Sequence, residues 1–220
     1  AVSKEGVPQL QARFHERLKE LSRSIQAPAL TEPTVLNDRA QAAINSPEDL
    51  AAQAAFLRCT WMSGPDARVL AAAEALLAKE DAYRKLAKDD AARDLARAHM
   101  MAFFKAMSAA DAVADAEKHV TAARELWPEH FAPHLWSGHL YLRKEEWDKA
   151  IPHFQAARER YPRYTAAKNA YQGLAMAYET LGRTKDRADV LESYCAIAIQ
   201  DADGLLELAK CYRAQGRLAP

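Results

Sequence analysis

The chain is poor in glycine, has no closely spaced cysteines and lacks a long apolar run. Its 7 glycines are dispersed and form neither GxGxxG nor GxxxxGK, the loops that cradle phosphate groups. Its 3 cysteines stand far apart without a CxxC pair, so neither a zinc ribbon nor a disulfide framework is indicated. No apolar stretch approaches the roughly 18 residues of a membrane span. We therefore expect a soluble protein with no membrane span, and its compartment, cytoplasmic or periplasmic, stays open.

An excess of charge of one sign is also missing. The 30 basic residues equal the 30 acidic ones, and the pI is near 7.2. Proteins that bind nucleic acid usually carry a basic excess, because they must neutralise phosphates. We therefore expect no nucleic acid partner.

The residues that are abundant favour helices. Alanine, leucine, glutamate, lysine and arginine dominate the sequence, and these types have high helix propensity. Runs of β-branched residues with a period of two, which indicate strands, are absent. The composition predicts an all-α protein.

Motifs for catalysis are absent as well. The sequence contains neither GxSxG nor HExxH, and its many carboxylates are spread over predicted helix faces. His130 and His134 have a spacing that binds zinc when both lie on one helix. Pro133 between them predicts that the helix begins only there, which disrupts that geometry. We expect no catalytic residue, no metal site and no cofactor, and hence no enzyme.

Two pairs of segments recur at the same spacing. Residues 123–128 (ARELWP) match residues 157–162 (ARERYP), and residues 174–183 (LAMAYETLGR) match residues 208–217 (LAKCYRAQGR). In both pairs the second segment begins 34 positions after the first. Such a period indicates stacked helical repeats.

This pattern resembles the tetratricopeptide repeat (TPR) family, whose unit is a pair of antiparallel helices. In the repeat that begins at Phe131, the family's small and aromatic positions are occupied by Gly138, Tyr141, Ala150, Phe154 and Ala157, its closing proline is Pro162, and Trp147 fits as well. Small residues let two helices approach closely, and aromatic rings fill the gaps between layers. His134, Ser137 and Glu145 depart from the family pattern, the last at a turn where glycine is usual.

The resemblance implies antiparallel helix-pair repeats stacked into a right-handed α-solenoid. It covers residues 97–220 and is clear over about 116–220. The repeats are placed at 97–130 (weak), 131–164, 168–201 and 202–220 (incomplete). The incomplete last repeat predicts an apolar surface that favours self-association through the C-terminal end.

Residues 1–96 form a separate helical region in this interpretation. Leu10, Phe14, Leu18, Leu21 and Ile25 make an apolar stripe at helical spacing. Whether residues 48–80 are a degenerate repeat is left open.

The resemblance also implies a function, since the first helices of stacked TPR units line a concave groove that binds peptides. The residues at ligand-facing positions are Leu135, His139, Arg143, Asn169, Gln172, Met176, Glu179, Lys210 and Arg213, with Leu142, Thr180, Asp203 and Leu206 beside them. We expect a scaffold that holds a protein or peptide segment. The alternative is a helical-repeat region of a larger enzyme, such as a bacterial hydrolase, that positions its catalytic domain.

Overall fold

A computed structural model describes residues 38–39, 41–43, 45–61, 64–109 and 111–217. The apolar stripe predicted at residues 7–25 lies outside these residues. From Leu50 onward, the described residues form ten α-helices: α1 (Leu50–Thr60), α2 (Ala67–Ala78), α3 (Glu80–Ala87), α4 (Ala91–Ser108), α5 (Val113–Leu126), α6 (Phe131–Arg143), α7 (Trp147–Arg160), α8 (Ala170–Thr180), α9 (Thr184–Cys195) and α10 (Ala202–Ala214). No strand occurs within these ranges. The all-α prediction is confirmed.

Local side chains start several of these helices. The Asp49 carboxylate accepts hydrogen bonds from the first N–H groups of α1, and Asp66 does the same for α2. Asn169 and Asp201 cap α8 and α10 in the same way. Each cap satisfies N–H groups that have no partner inside the helix.

Tight turns join the helices of each pair. Gly182 and Gly216 adopt φ of 67°, the left-handed conformation expected of glycine after a helix. Glu145 stands at the equivalent turn between α6 and α7 and adopts φ of 59°. The backbone shape of the repeat is therefore kept at Glu145 without the residue that favours it.

Successive helices pack as neighbouring pairs: α4 with α5, α6 with α7, and α8 with α9, while α10 packs on α9. The Phe154 ring of α7 is fully buried between two glycines, Gly138 of α6 and Gly173 of α8. A Cβ atom added at Gly138 would lie 2.7 Å from this ring, so no side chain fits there without displacing it. This stacking of helix pairs is the α-solenoid expected from the sequence.

The helices before the repeats are joined to α4 by a buried polar cluster. Asp94 of α4 is 1% exposed and accepts hydrogen bonds from Arg58 of α1, from the Tyr83 hydroxyl of α3 and from Arg97. Residues 96 and 97, the sequence-based boundary between the N-terminal region and the repeats, lie inside α4. No linker separates the two regions there, and the start of the repeats stays a prediction.

The last helix leaves apolar side chains uncovered. Leu205 and Leu206 of α10 are 47% and 54% exposed, and Ile199 before it is 74% exposed. Self-association through this end stays a prediction.

Candidate functional site

Two of the nine residues predicted to face a ligand are buried instead. Leu135 is 2% exposed and packs in the core, and Asn169 is completely buried. The Asn169 side-chain oxygen accepts a hydrogen bond from the Gln172 backbone N–H, and its amide donates to the Ala166 carbonyl. Both residues serve packing or capping, so their assignment to a ligand-binding surface needs correction.

Two further predicted residues are used for contacts within the protein. The Nε2 atom of His139 lies 2.7 Å from the Lys168 carbonyl oxygen, at hydrogen-bond distance. The Arg143 guanidinium donates to the carbonyl oxygens of Met107 and Ala109, at 2.7 and 3.1 Å. Because these carbonyls lie at the C-terminal end of α4, Arg143 neutralises unpaired acceptors there and links α6 to α4.

Four of the predicted residues do come together. Gln172, Met176 and Glu179 of α8 and Lys210 of α10 line one open cavity of about 430 Å³. Asp203 also lines it, whereas Arg213 is exposed in the last turn of α10 and is not part of the lining. Residues that the sequence reasoning did not single out complete the wall: Ala175, Arg187, Leu191, Tyr194, Asp201, Gly204 and Glu207. Arg187, Leu191 and Tyr194 belong to α9, the second helix of its pair, whereas the resemblance points to first helices only.

Ion pairs organise one side of this cavity, which we call the α8–α10 cavity. Arg187 of α9 contacts Glu179 at 3.1 Å and Glu207 at 2.6 Å. Lys210 contacts the other oxygen of Glu207 at 2.6 Å, which lowers the pKa of that carboxyl below its usual value. The Arg187 guanidinium therefore bridges α8 and α10 at the wall of the cavity.

Hydrogen bonds fix the opposite side. The Tyr194 hydroxyl donates to Asp201 at 2.6 Å, and the same carboxylate caps α10. These bonds, the one from Tyr194 first, lower the pKa of Asp201. Asp201 therefore stays ionised at neutral pH.

A second concavity lies toward the N-terminal half. It measures about 260 Å³ and is lined mainly by rings: Trp61, Phe104, Phe131, Trp136 and Tyr164, together with Gly64, Pro65, Ala132 and Leu135. The rings support one another, since Phe104 meets Trp136 edge-on at 4.9 Å between centroids. Leu135 thus reaches a concave surface, but as part of an apolar wall.

Comparison with known proteins identifies the repeats. The family model described as tetratricopeptide repeat matches residues 105–165 and 137–202. Residues 105–202 belong to the TPR family. The family assignment made on the sequence is therefore confirmed.

A solved structure agrees on the fold. A thermophilic TPR protein of Thermus thermophilus is 20% identical and has a TM-score of 0.51, with 92% of this chain and 97% of that chain covered. The MamA protein is 17% identical with a TM-score of 0.47, covering 84% and 86% of the two chains. No curated protein matches the chain by sequence. Within the described residues, no helix combines the length and apolar character needed to cross a membrane.

The histidines of the TPR region are engaged in packing. Helix α6 begins at Phe131, two residues before the predicted start at Pro133, and His130 caps it through Nδ1. The His130 ring stacks on Trp127, whereas Nε2 of His134 lies 3.0 Å from the Pro128 carbonyl oxygen. The two rings therefore have different partners, and no group of three potential metal ligands occurs among the described residues.

Burial changes the acid–base behaviour of these rings. Loss of solvation disfavours the imidazolium form and lowers the pKa of all six histidines in the described residues: His99, His119, His130, His134, His139 and His153. The pKa falls to about 4 for His99, His130 and His153. His99 and His119 also face each other, with their Nδ1 atoms 3.0 Å apart.

We expect the protein to lose stability between pH 7 and pH 5. The unfolded chain binds protons near pH 6.5, whereas the folded rings stay neutral until about pH 4. Stability is therefore complete above about pH 6.5 and declines as the pH falls. For these half-buried rings the loss is about 1 kcal/mol per histidine, after allowance for solvent screening. Urea unfolding at pH 7 and pH 5 measures it.

A matched variant separates this effect from carboxylate titration. Asparagine in place of His130 keeps a capping oxygen for α6 but removes one titrating ring. His130→Asn should therefore have a shallower dependence of unfolding free energy on pH. An unchanged slope would contradict the assigned role of this ring.

Proposed function

We propose that this protein is a non-catalytic scaffold that binds a peptide or protein segment in the α8–α10 cavity. The observation that carries the proposal is the meeting of Gln172, Met176 and Glu179 with Lys210 from another helix in one cavity. All four residues stand at positions that face the ligand in TPR repeats, according to the resemblance of the sequence. TPR proteins generally mediate protein interactions, which supports a binding role for the same surface.

The dimensions and chemistry of the cavity suit a short segment. Its volume of about 430 Å³ lies in the usual range of binding sites, about 300–1,000 Å³. Met176 is 53% exposed and offers an apolar contact that adapts to different side chains. Glu179 and the exposed Gln172 offer polar contacts on the same helix. An extended segment with apolar and polar side chains can therefore engage several wall residues at once.

Filling the cavity tests the proposal. Peptides selected from a random displayed library on the unmodified protein should bind at least about tenfold more weakly to Gln172→Trp, because the indole occupies their site. Fluorescence anisotropy measures the dissociation constants, and circular dichroism checks that the helices are intact.

The matched control places the same side chain elsewhere. Glu159 is exposed on α7 and does not line the cavity, so Glu159→Trp should leave peptide affinity unchanged. If the selected peptides bind both tryptophan variants with the same affinity as the unmodified protein, the cavity is not their binding site.

A further inference from the structure

The α8–α10 cavity has an excess of negative charge. Four carboxylates line it, those of Glu179, Asp201, Asp203 and Glu207, against two cations, Arg187 and Lys210. The lining therefore has a formal charge of −2, although the whole chain has none. Field lines are focused in such a cleft, so its sign selects among charged ligands.

Both cations of the wall are already paired. Arg187 contacts Glu179 and Glu207, and Lys210 contacts Glu207. A bound segment therefore meets little free positive charge in the cavity. The positive groove residues expected from the sequence do not change this, since Arg143 is bound to carbonyl oxygens of another helix and Arg213 lies outside the lining.

Three of the four carboxylates, in contrast, are exposed or have no ion pair among the described residues. Asp203 is exposed and has no basic group within salt-bridge distance among the described residues. The Glu179 side chain is 59% exposed despite its contact with Arg187. Asp201 accepts three hydrogen bonds but no ion pair from the described part of the chain, so its charge also stays uncompensated there.

Apolar surface lies beside this charge. The sulfur-bearing side chain of Met176 is half exposed at the wall, and Ala175, Leu191 and Tyr194 contribute to the same lining. A ligand of charge alone would leave this surface in water. Burying an apolar side chain against it is favourable by about 25 cal/mol per Å².

From this charge complementarity we infer that the segment bound in the cavity is basic, with lysine or arginine side chains flanking an apolar one. The basic groups pair with Glu179 and Asp203, and the apolar side chain packs on Met176. Acidic tails and phosphate-bearing ligands are disfavoured, because like charges in a cleft repel. This inference rests on the proposed function, since it specifies the chemistry of the segment that the same cavity holds.

Synthetic peptides that differ only in their charged residues test which sign of charge the cavity prefers in a ligand. Three serine- and glycine-based peptides of about ten residues each carry a central leucine, flanked by lysines, by glutamates or by neither. Isothermal titration should give the lysine peptide an affinity at least about tenfold above the neutral one, with the glutamate peptide weakest. Raising the ionic strength should weaken lysine-peptide binding, because exposed charges are screened.

Charge reversal supplies the decisive variant. Glu179→Lys with Asp203→Lys changes the lining from −2 to +2, because each replacement adds two positive charges. The order of lysine and glutamate peptides should then invert. Loss of the Arg187 contact could prevent the double variant from folding. In that case, Asp203→Lys alone should reduce the difference in affinity between the lysine and glutamate peptides.

The matched control reverses two charges away from the cavity. Asp148 lies in the first turn of α7, as Asp203 does in α10, and Glu159 is exposed on the same helix. Asp148→Lys with Glu159→Lys gives the protein the same net charge as the cavity double variant. It should still bind the lysine peptide more tightly than the glutamate peptide.

Several results would overturn the inference. The inference fails if the lysine and glutamate peptides bind equally well, or if their order of affinity inverts in the control variant. It also fails if the lysine peptide shows no saturable binding at about 1 mM. If Gln172→Trp still abolishes binding of library-selected peptides in those cases, the proposed function stands and only the basic specificity is wrong. If Gln172→Trp has no effect on any peptide, the proposed function itself fails.

Discussion

Replacing Phe154 with alanine is expected to lower the free energy of unfolding by about 3–5 kcal/mol. The ring is completely buried between α6 and α8, against the backbones at Gly138 and Gly173. Neither glycine has a side chain that could move into the gap, so the substitution leaves a cavity between the helices. Denaturation in urea, followed by circular dichroism, measures the change.

A surface substitution in the same helix is the reference. Glu159 is exposed on α7, so Glu159→Ala should cost about 0.5 kcal/mol or less. Equal unfolding midpoints for the two variants would mean that Phe154 does not occupy the interhelical position assigned to it.

Replacing Asp94 with alanine should have an effect of similar size, about 3–5 kcal/mol. The carboxylate is 1% exposed and is the shared acceptor of Arg58, Arg97 and Tyr83. Its removal takes the shared acceptor from donors on three helices, of which the Tyr83 side chain is buried and the Arg97 side chain is only 17% exposed. Desolvation already lowers the pKa of Arg97, so an uncompensated charge there is costly. Thermal unfolding should show a lower midpoint.

Asp90 provides a matched comparison for this cluster. It lies 3.9 Å from the same Arg58 but is 70% exposed, so its interaction is screened by solvent. Asp90→Ala should change stability by about 0.5 kcal/mol or less. A large loss at Asp90, or a small one at Asp94, would show that burial of the carboxylate is not what makes the cluster important.

Much of the repeat architecture could be predicted from the sequence. The 34-residue period and the small or aromatic residues at Gly138, Ala150 and Phe154 depend on helix geometry, which repeats along the chain. Gly182 and Gly216 could be assigned to left-handed turns because glycine alone adopts that conformation at little cost. Glu145 could be assigned to its turn by register, but its residue type does not indicate the positive φ that the structure shows.

The residues that line the groove could be predicted only in part from the sequence. The resemblance to TPR repeats implies that Gln172, Met176 and Glu179 face one side, and helical periodicity is consistent with a shared face. Periodicity does not determine what meets that face. Leu135 is buried in the core, and Arg143 binds carbonyls 34 and 36 positions away in sequence.

The helical class, the repeat and the direction of each side chain follow from local spacing, and the amino-acid sequence is enough to predict them. Which of those side chains stay open to a ligand depends instead on how the helices pack. Packing joins Arg58 to Asp94 across 36 positions and places Arg187 of a second helix between two carboxylates of the cavity. Such contacts have no periodic signature, because burial and charge pairing depend on residues that only folding brings together.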